Sequence, residues 1–210
     1  MASSPVRLHL ASTSPARRAV LRAAGIEPDP IAPGVDEEAA VAAAGPLTPA
    51  DMVMLLARLK ADAVATSRDD LDGLVFGGDS AFEVDGVVYG KPHLPEVARE
   101  RWRAQRGRSG VLHSGHWLID TRTGEAVGGH AAATVHFASD ITDAEIEAYL
   151  ATGEPLEVAG AFTIDGRGAA FIERIEGDPS TVVGLSVPLL RTLARRLGVE
   201  WTDLWTGPTG

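Results

Sequence analysis

VRLHLASTSPARRAVLRAAG, residues Val6 to Gly25, decides how the rest of the chain is read. The short apolar run Val6–Ser12 predicts a strand. Ser14 followed by Pro15 reads as a helix N-cap with proline in the first turn. Ala19, Val20, Leu21, Ala23 and Ala24 supply the helix's apolar positions, and Gly25 is its stop. A strand that enters a helix through a Ser/Thr-rich turn opens an α/β unit. It also gathers backbone N–H groups, the helix dipole and the hydroxyls of Ser12, Thr13 and Ser14 where an anion binds. Arg17 and Arg18 stand in that first turn, at the positive end of the helix, where cations are disfavoured. Two readings stand. Both arginines point to water at a small cost, or an arginine there becomes favourable once a phosphate oxygen accepts from it. Neither glycine-rich nucleotide signature is present.

Downstream, PDPIAPGVDEEA reads as a loop with one short strand, and TPADMVMLLARLKADAVATS as a long amphipathic helix capped by Thr48. DGLVFGGDS is a buried strand, and FEVDGVVYGKP folds as a hairpin around Asp85-Gly86. LPEVARERWRAQRG predicts a surface helix. GVLHSGHWLIDTRTG and EAVGGHAAATVHFAS alternate as paired strands around Thr123-Gly124. TDAEIEAYLATG is a helix with Thr142 as cap, Glu145 at the capping-box position and Gly153 as stop. GAAFIERIEG reads as a strand, and SVPLLRTLARRLG as a helix between Ser186 and Gly198. Trp201 and Trp205 in the tail dock on the core or on a partner. The order predicts an α/β fold with a mixed sheet, in a single domain over residues 1–210 whose last eleven residues form a tail.

The chain has 210 residues, 45 % hydrophobic and 23 % charged, the balance of a globular protein with room for a sizeable core. The absence of cysteine excludes disulfides, thiolate zinc sites and a cysteine nucleophile, and fits a cytoplasmic setting. No signal-peptide core or membrane-length apolar run is present. The formal net charge of -10 argues against nucleic acid as a partner, though not against a small anionic ligand held by a local cationic cluster.

Several residues are candidates for chemistry. Asp79 ends an apolar strand, where open α/β sheets place ligands, and reads either as a general base or metal ligand or as an Asx-turn. Lys91, between Gly90 and Pro92, either delivers a cation to a phosphate or is a surface lysine. Glu37, in the run Asp36-Glu37-Glu38, either holds a metal or sits at a solvated helix N-terminus. Lys60 reaches towards a site or snorkels at a helix boundary. His113 and His116 face opposite sides of a straight strand and so share no ion; each is read as packed or hydrogen-bonded. A Gly-x-Ser-x-Gly elbow is missing, and Ser186 is explained as a helix cap.

In this order, LASTSPARRAVL, GVDEEA, LARLKADAV, GGDSAFEVDGVVYGKP, SGVLH and GEPLEVAGAFTIDGRGAAFIERIEGDPSTVVGLSVPLLRTL closely resemble the Maf family, the nucleoside triphosphate pyrophosphatases once named for septum formation. The resemblance runs from about Val6 to Leu197. It implies a Maf/ITPase-like α/β fold, with a mixed twisted sheet flanked by helices and two lobes with a central cleft. It also implies a cytoplasmic, usually dimeric enzyme that uses Mg²⁺ or Mn²⁺ to cleave a nucleoside triphosphate to the monophosphate and pyrophosphate. By motif position, Asp79 matches the proton acceptor, Glu37 the acid after the first helix, and Lys91 the lysine of G-K-P. Ser12, Arg17 and Lys60 match substrate-binding positions, and Ser80 and Asp165 lie where base preference is read. Glu37 and Asp79 form the metal side.

Four departures stand out. Ala16 replaces the first arginine of the usual pair, leaving Arg18 outside the motif. Gly78-Asp79-Ser80 replaces A-D-T, Val158 replaces a lysine, and Asp165 replaces the glutamine of thymidine/uridine-type members. An aspartate cannot donate hydrogen bonds as a glutamine amide does. A nucleotide-binding regulator of cell division without catalysis is the alternative from another class; the acids in motif position favour an enzyme.

Overall fold

The computed structural model describes residues 5–206. Met1–Ser4 and the last four residues of the tail lie outside them. The opening strand β1 (Leu8–Ala11) leads into α1 (Pro15–Ala23), whose N-cap Ser14 accepts from the Arg17 backbone N–H. The short β2 (Asp29–Pro30) is followed by α2 (Glu37–Ala44), capped by Asp36, and α3 (Pro49–Ala65), capped by Thr48. The hairpin consists of β3 (Leu74–Val84) and β4 (Val87–Tyr89). Then come α4 (Pro95–Gln105), β5 (Ser109–Asp120), β6 (Ala126–Phe137) and α5 (Asp143–Leu150). The final elements are β7 (Ile172–Glu176), α6 (Pro179–Val183) and α7 (Val187–Arg196).

The seven strands form one mixed sheet in the order β2-β1-β3-β5-β6-β7, with β4 pairing β3. β1 lies parallel to β2 and β3, as the opening strand–helix unit requires, whereas β3–β4 and β6–β7 are antiparallel. The predicted mixed α/β sheet flanked by helices is therefore the fold.

The chain divides into two compact units. The first comprises residues up to Asp79, Ser114–Ala131 and Gly184 onward. Its core packs Leu8, Leu10, Leu74 and Phe76 of the sheet with Leu21 of α1 and Leu190 and Leu193 of α7. A second cluster joins Ala61 and Val64 of α3 to Ala11 and Val75. The other unit, Ser80–His113 and Ala132–Val183, is built around aromatic rings. Trp102 meets Phe137, Tyr149 and Phe171 edge-on at 5.4–5.6 Å, the geometry that ring quadrupoles favour.

Three expectations are revised. Helix α4 is not simply a surface helix, because Trp102, Ala98 and Gln105 on one side are fully buried. The predicted strand GAAFIERIEG begins only at Ile172; Arg167–Phe171 is a 3-10 turn, tightened by glycines at 166 and 168. The segment after Gly153 forms further 3-10 turns at Glu154–Glu157 and Ala159–Ala161. Of the described tail, Trp201 and Leu204 dock on the core, while Trp205 stays half exposed. Leu204 is buried, Val6 N–H donates to the Asp203 carbonyl (2.7 Å), and the Trp205 indole lies against Gly25. Among the described residues, no helix is long and apolar enough to cross a membrane.

Candidate active site

Five predicted site residues lie in the first unit, and four of them share one electrostatic cluster. Lys60, about three turns into α3, is almost fully buried. Its Nζ donates to Asp79 Oδ1 at 2.6 Å and lies 2.8 Å from Glu37 Oε1. Lys60 is therefore not a snorkelling boundary residue. Asp79 is buried too, whereas Glu37 is about half exposed, in the first turn of α2. Glu37 sits at a helix N-terminus, where a carboxylate is favoured, as one of its two readings expected, and its carboxylate lies against Lys60.

Arg17 completes the cluster. The guanidinium is buried, with Nε donating to the Gly184 carbonyl (2.9 Å) and Nη1 to Ser12 Oγ (3.3 Å). Ser12 Oγ also accepts the Ser14 N–H, so the turn before α1 holds the arginine in place. Burial pushes the Arg17 pKa down, and the charges of Asp79 and Glu37 work against that shift. Burial likewise pushes the Asp79 carboxyl above its usual range, while Lys60 and Arg17 pull it back. The two arginines of the first turn part company here. Arg18 turns outward and pairs with Glu27 (3.2 Å), which also holds Arg22.

The glycine pair before Asp79 makes the cluster possible. A Cβ on Gly77 would lie 2.1 Å from the Ala57 carbonyl of α3, and one on Gly78 would lie 3.2 Å from Arg17 Nε. Bare backbone there lets α3 bring Lys60, and α1 bring Arg17, onto the middle of β3, which does not end at Asp79 as expected but runs on through it to Val84, because the residues after it continue straight into the hairpin.

Two further groups support the cluster: Ser114, which no local pattern singles out, and His116, whose partner could not be read from its spacing. Ser114 Oγ donates to the same Gly184 carbonyl that Arg17 holds (3.2 Å). His116, fully buried, accepts the Ser186 N–H at Nε2 (2.9 Å), fixing the turn that carries Gly184 into α7. Both histidines are hydrogen-bonded as expected, His113 to Glu83 at 3.0 Å.

Ser80, Lys91 and Asp165 lie in the other unit. Ser80 directly follows Asp79 on β3 and is half-buried. Lys91 is exposed, just after β4, and Asp165 is exposed on the loop before the Arg167–Phe171 turn.

The arrangement suits anion capture and proton transfer. A buried guanidinium and ammonium can neutralise a polyphosphate, and a carboxylate of raised pKa can accept a proton from water. Two carboxylates converging on one cation also supply the hard oxygen donors that Mg²⁺ or Mn²⁺ takes. Among the described residues no three histidine, aspartate or glutamate side chains group as a self-sufficient cage.

A family model described as Maf-like protein matches residues 7–197. A nucleoside triphosphate pyrophosphatase of Leifsonia xyli subsp. xyli is 68% identical over 209 residues, covering 95% of this chain and 97% of that protein. Proteins of the same name from Salinispora tropica and Streptomyces coelicolor are 53% and 50% identical, over 99% and 95% of this chain and 91% and 94% of their own lengths.

Proposed function

The chain belongs to the Maf family, and from that premise we propose that it is a nucleoside triphosphate pyrophosphatase. It hydrolyses a nucleoside triphosphate, canonical or modified, to the monophosphate and pyrophosphate. The observation that carries this reading is the placement of the Lys60 ammonium against both Asp79 and Glu37, beside the buried Arg17.

Arg17 and Lys60 neutralise the triphosphate, and Ser12 and the N-terminus of α1 add donors. Asp79 accepts a proton from the water that attacks the α-phosphorus. The new O–P bond forms as the bond to the α,β-bridging oxygen breaks, and pyrophosphate leaves with that oxygen. Positioning and charge stabilisation supply most of the rate, because little covalent work falls to the protein. Glu37 and Asp79 would hold Mg²⁺ or Mn²⁺, which when bound supplies further charge neutralisation on the phosphates. For Lys91 as a phosphate-binding cation, and for Ser80 and Asp165 as readers of the base, the support is their motif position. The same resemblance supports a cytoplasmic homodimer that works as one functional domain, with neither nucleic acid nor a membrane as partner.

The test is product analysis with a panel of nucleoside triphosphates, with Mg²⁺ or Mn²⁺ and with chelator. Metal-dependent release of monophosphate and pyrophosphate is expected. Diphosphate plus orthophosphate would instead mark a hydrolase of the terminal phosphate. Tight binding without turnover would mark the non-catalytic regulator.

A further inference from the structure

His116 is fully buried on β5, and the proposed chemistry does not use it. Its surroundings settle its protonation. The Ser186 backbone N–H can only donate, so Nε2, 2.9 Å away, is bare and accepts. The ring proton then sits on Nδ1, which lies 3.3 Å from the Ser114 carbonyl. His116 is therefore a neutral imidazole in one tautomer. Phe76 of β3 tilts against it, with ring centroids 5.2 Å apart.

The backbone that the ring grips has other ties. Ser186 is the N-cap of α7, and its Oγ accepts the Leu189 N–H (3.3 Å). Two residues earlier, Gly184 has φ +107°, which residues with a side chain rarely adopt. Its carbonyl accepts from Arg17 Nε (2.9 Å) and from Ser114 Oγ (3.2 Å). Ser114 and His116 stand two apart on β5, so both point to this face of the sheet. Gly115 between them faces α3, where a Cβ would lie 2.2 Å from the Val53 carbonyl. β5 is thus pressed by α3 on one face and grips the 184–186 turn with the other. All of these residues belong to the first unit.

We infer that His116 is a positioning residue for triphosphate capture, acting on Arg17 through the 184–186 turn. The inference rests on the pyrophosphatase reading and on Arg17 as a phosphate-binding cation. A guanidinium captures phosphate best when its planar fork is fixed before the anion arrives. Ser12 Oγ fixes the Arg17 fork at Nη1 from the turn before α1. The Gly184 carbonyl fixes it at Nε from a distant part of the chain, and His116 sets that carbonyl. Without the imidazole acceptor the buried Ser186 N–H loses this partner, and the turn is free to shift with Gly184 on it. An apolar ring would fill the same space but cannot accept, so packing and positioning separate by substitution.

The experiment compares His116→Phe, which keeps a ring without an acceptor, with His116→Gln, whose amide oxygen can take the Ser186 N–H. The first readout needs no turnover. The Arg17 Nε–H resonance in ¹H–¹⁵N spectra is assigned by its loss in Arg17→Ala. Its exchange with water should be about tenfold faster in His116→Phe and close to wild type in His116→Gln, the scale of one lost hydrogen bond. The second readout is steady-state kinetics with the triphosphate turned over fastest in the product panel. His116→Phe should raise KM about 3–10-fold with kcat within about twofold in the folded fraction, and His116→Gln should restore KM. On an Arg17→Ala background His116→Phe should raise KM no further, because both act through one guanidinium. Ser114→Ala removes the second donor on the Gly184 carbonyl and stands in if His116→Phe does not fold. It should speed the Nε–H exchange and raise KM more mildly, again only while Arg17 is present. Unchanged exchange and KM in the folded variant, or a KM rise that adds in full to that of Arg17→Ala, makes His116 a packing residue and overturns the inference while leaving the pyrophosphatase reading intact. A wild type that releases pyrophosphate from no triphosphate overturns that reading, and the inference with it.

Discussion

Lys60 Nζ and Asp79 Oδ1 lie 2.6 Å apart inside the first unit, and both side chains are almost closed to solvent. An ion pair so placed is costly to desolvate, and breaking it from one side leaves an uncompensated buried charge. Its place beside a second cation, Arg17, and a second carboxylate, Glu37, supports the proposal that the pair serves the chemistry, which substitutions at each position test.

Asp79→Asn keeps the shape of the side chain and removes its ability to accept a proton from water. Turnover should fall by about 10²–10⁴-fold, the usual worth of a general base. The far-ultraviolet circular dichroism should not change. Pyrophosphate release near the wild-type rate would take Asp79 out of this role.

Lys60→Met tests the electrostatics. Burial raises the Asp79 pKa above its unfolded value, and Lys60 counters that rise. The sign follows. A raised carboxyl contributes stability that is fully present below the unfolded pKa and is lost as pH rises through the folded one. Without Lys60 the folded value climbs further. The ¹³C carboxyl resonance of Asp79 should titrate at higher pH in the metal-free variant, and the acid limb of kcat/KM should move up with it. A midpoint that stays or falls would show that the lysine does not act on Asp79.

Much of this was legible in the chain, and the gaps have physical causes. Helix caps and tight turns are local, so Ser14, Thr48, Thr142, Ser186 and the Asp85-Gly86 hairpin were readable from spacing. Arg17 and Arg18 were harder, because adjacent residues differ by about 100° around a helix. The clue was one turn on: Arg17 shares its face with buried Leu21, and Arg18 shares its face with Arg22, which joins it at Glu27. Trp102 sits in a charged run whose local polarity hides the buried face of α4.

Gly77→Ala examines the packing that delivers Lys60. The added methyl would meet the Ala57 carbonyl and the Ala61 N–H, both backbone atoms of α3 that cannot swing aside. Overpacking of this kind costs about 1–3 kcal/mol or more. Calorimetry should show a lower Tm, and turnover should fall beyond the loss of folded protein, because α3 must shift with Lys60 on it. A variant with wild-type Tm and activity would mean that β3 and α3 are not in such close contact.

Arg17→Ala separates a binding role from a structural one. The Gly184 carbonyl that Arg17 holds also accepts from Ser114 Oγ, so removing the guanidinium does not orphan it. Stability should therefore suffer less than function. Losing one charge-assisted contact to the triphosphate should raise KM about 10–100-fold. Arg17→Lys restores the charge but not the planar fork that reaches Gly184 and Ser12 together, so it should fall between alanine and wild type. The measurements are steady-state kinetics with the preferred triphosphate and thermal melts of all three proteins. A lower Tm with unchanged KM and kcat in the folded fraction would make Arg17 a residue of the fold alone, and the cationic half of the site would then have to come from Lys60.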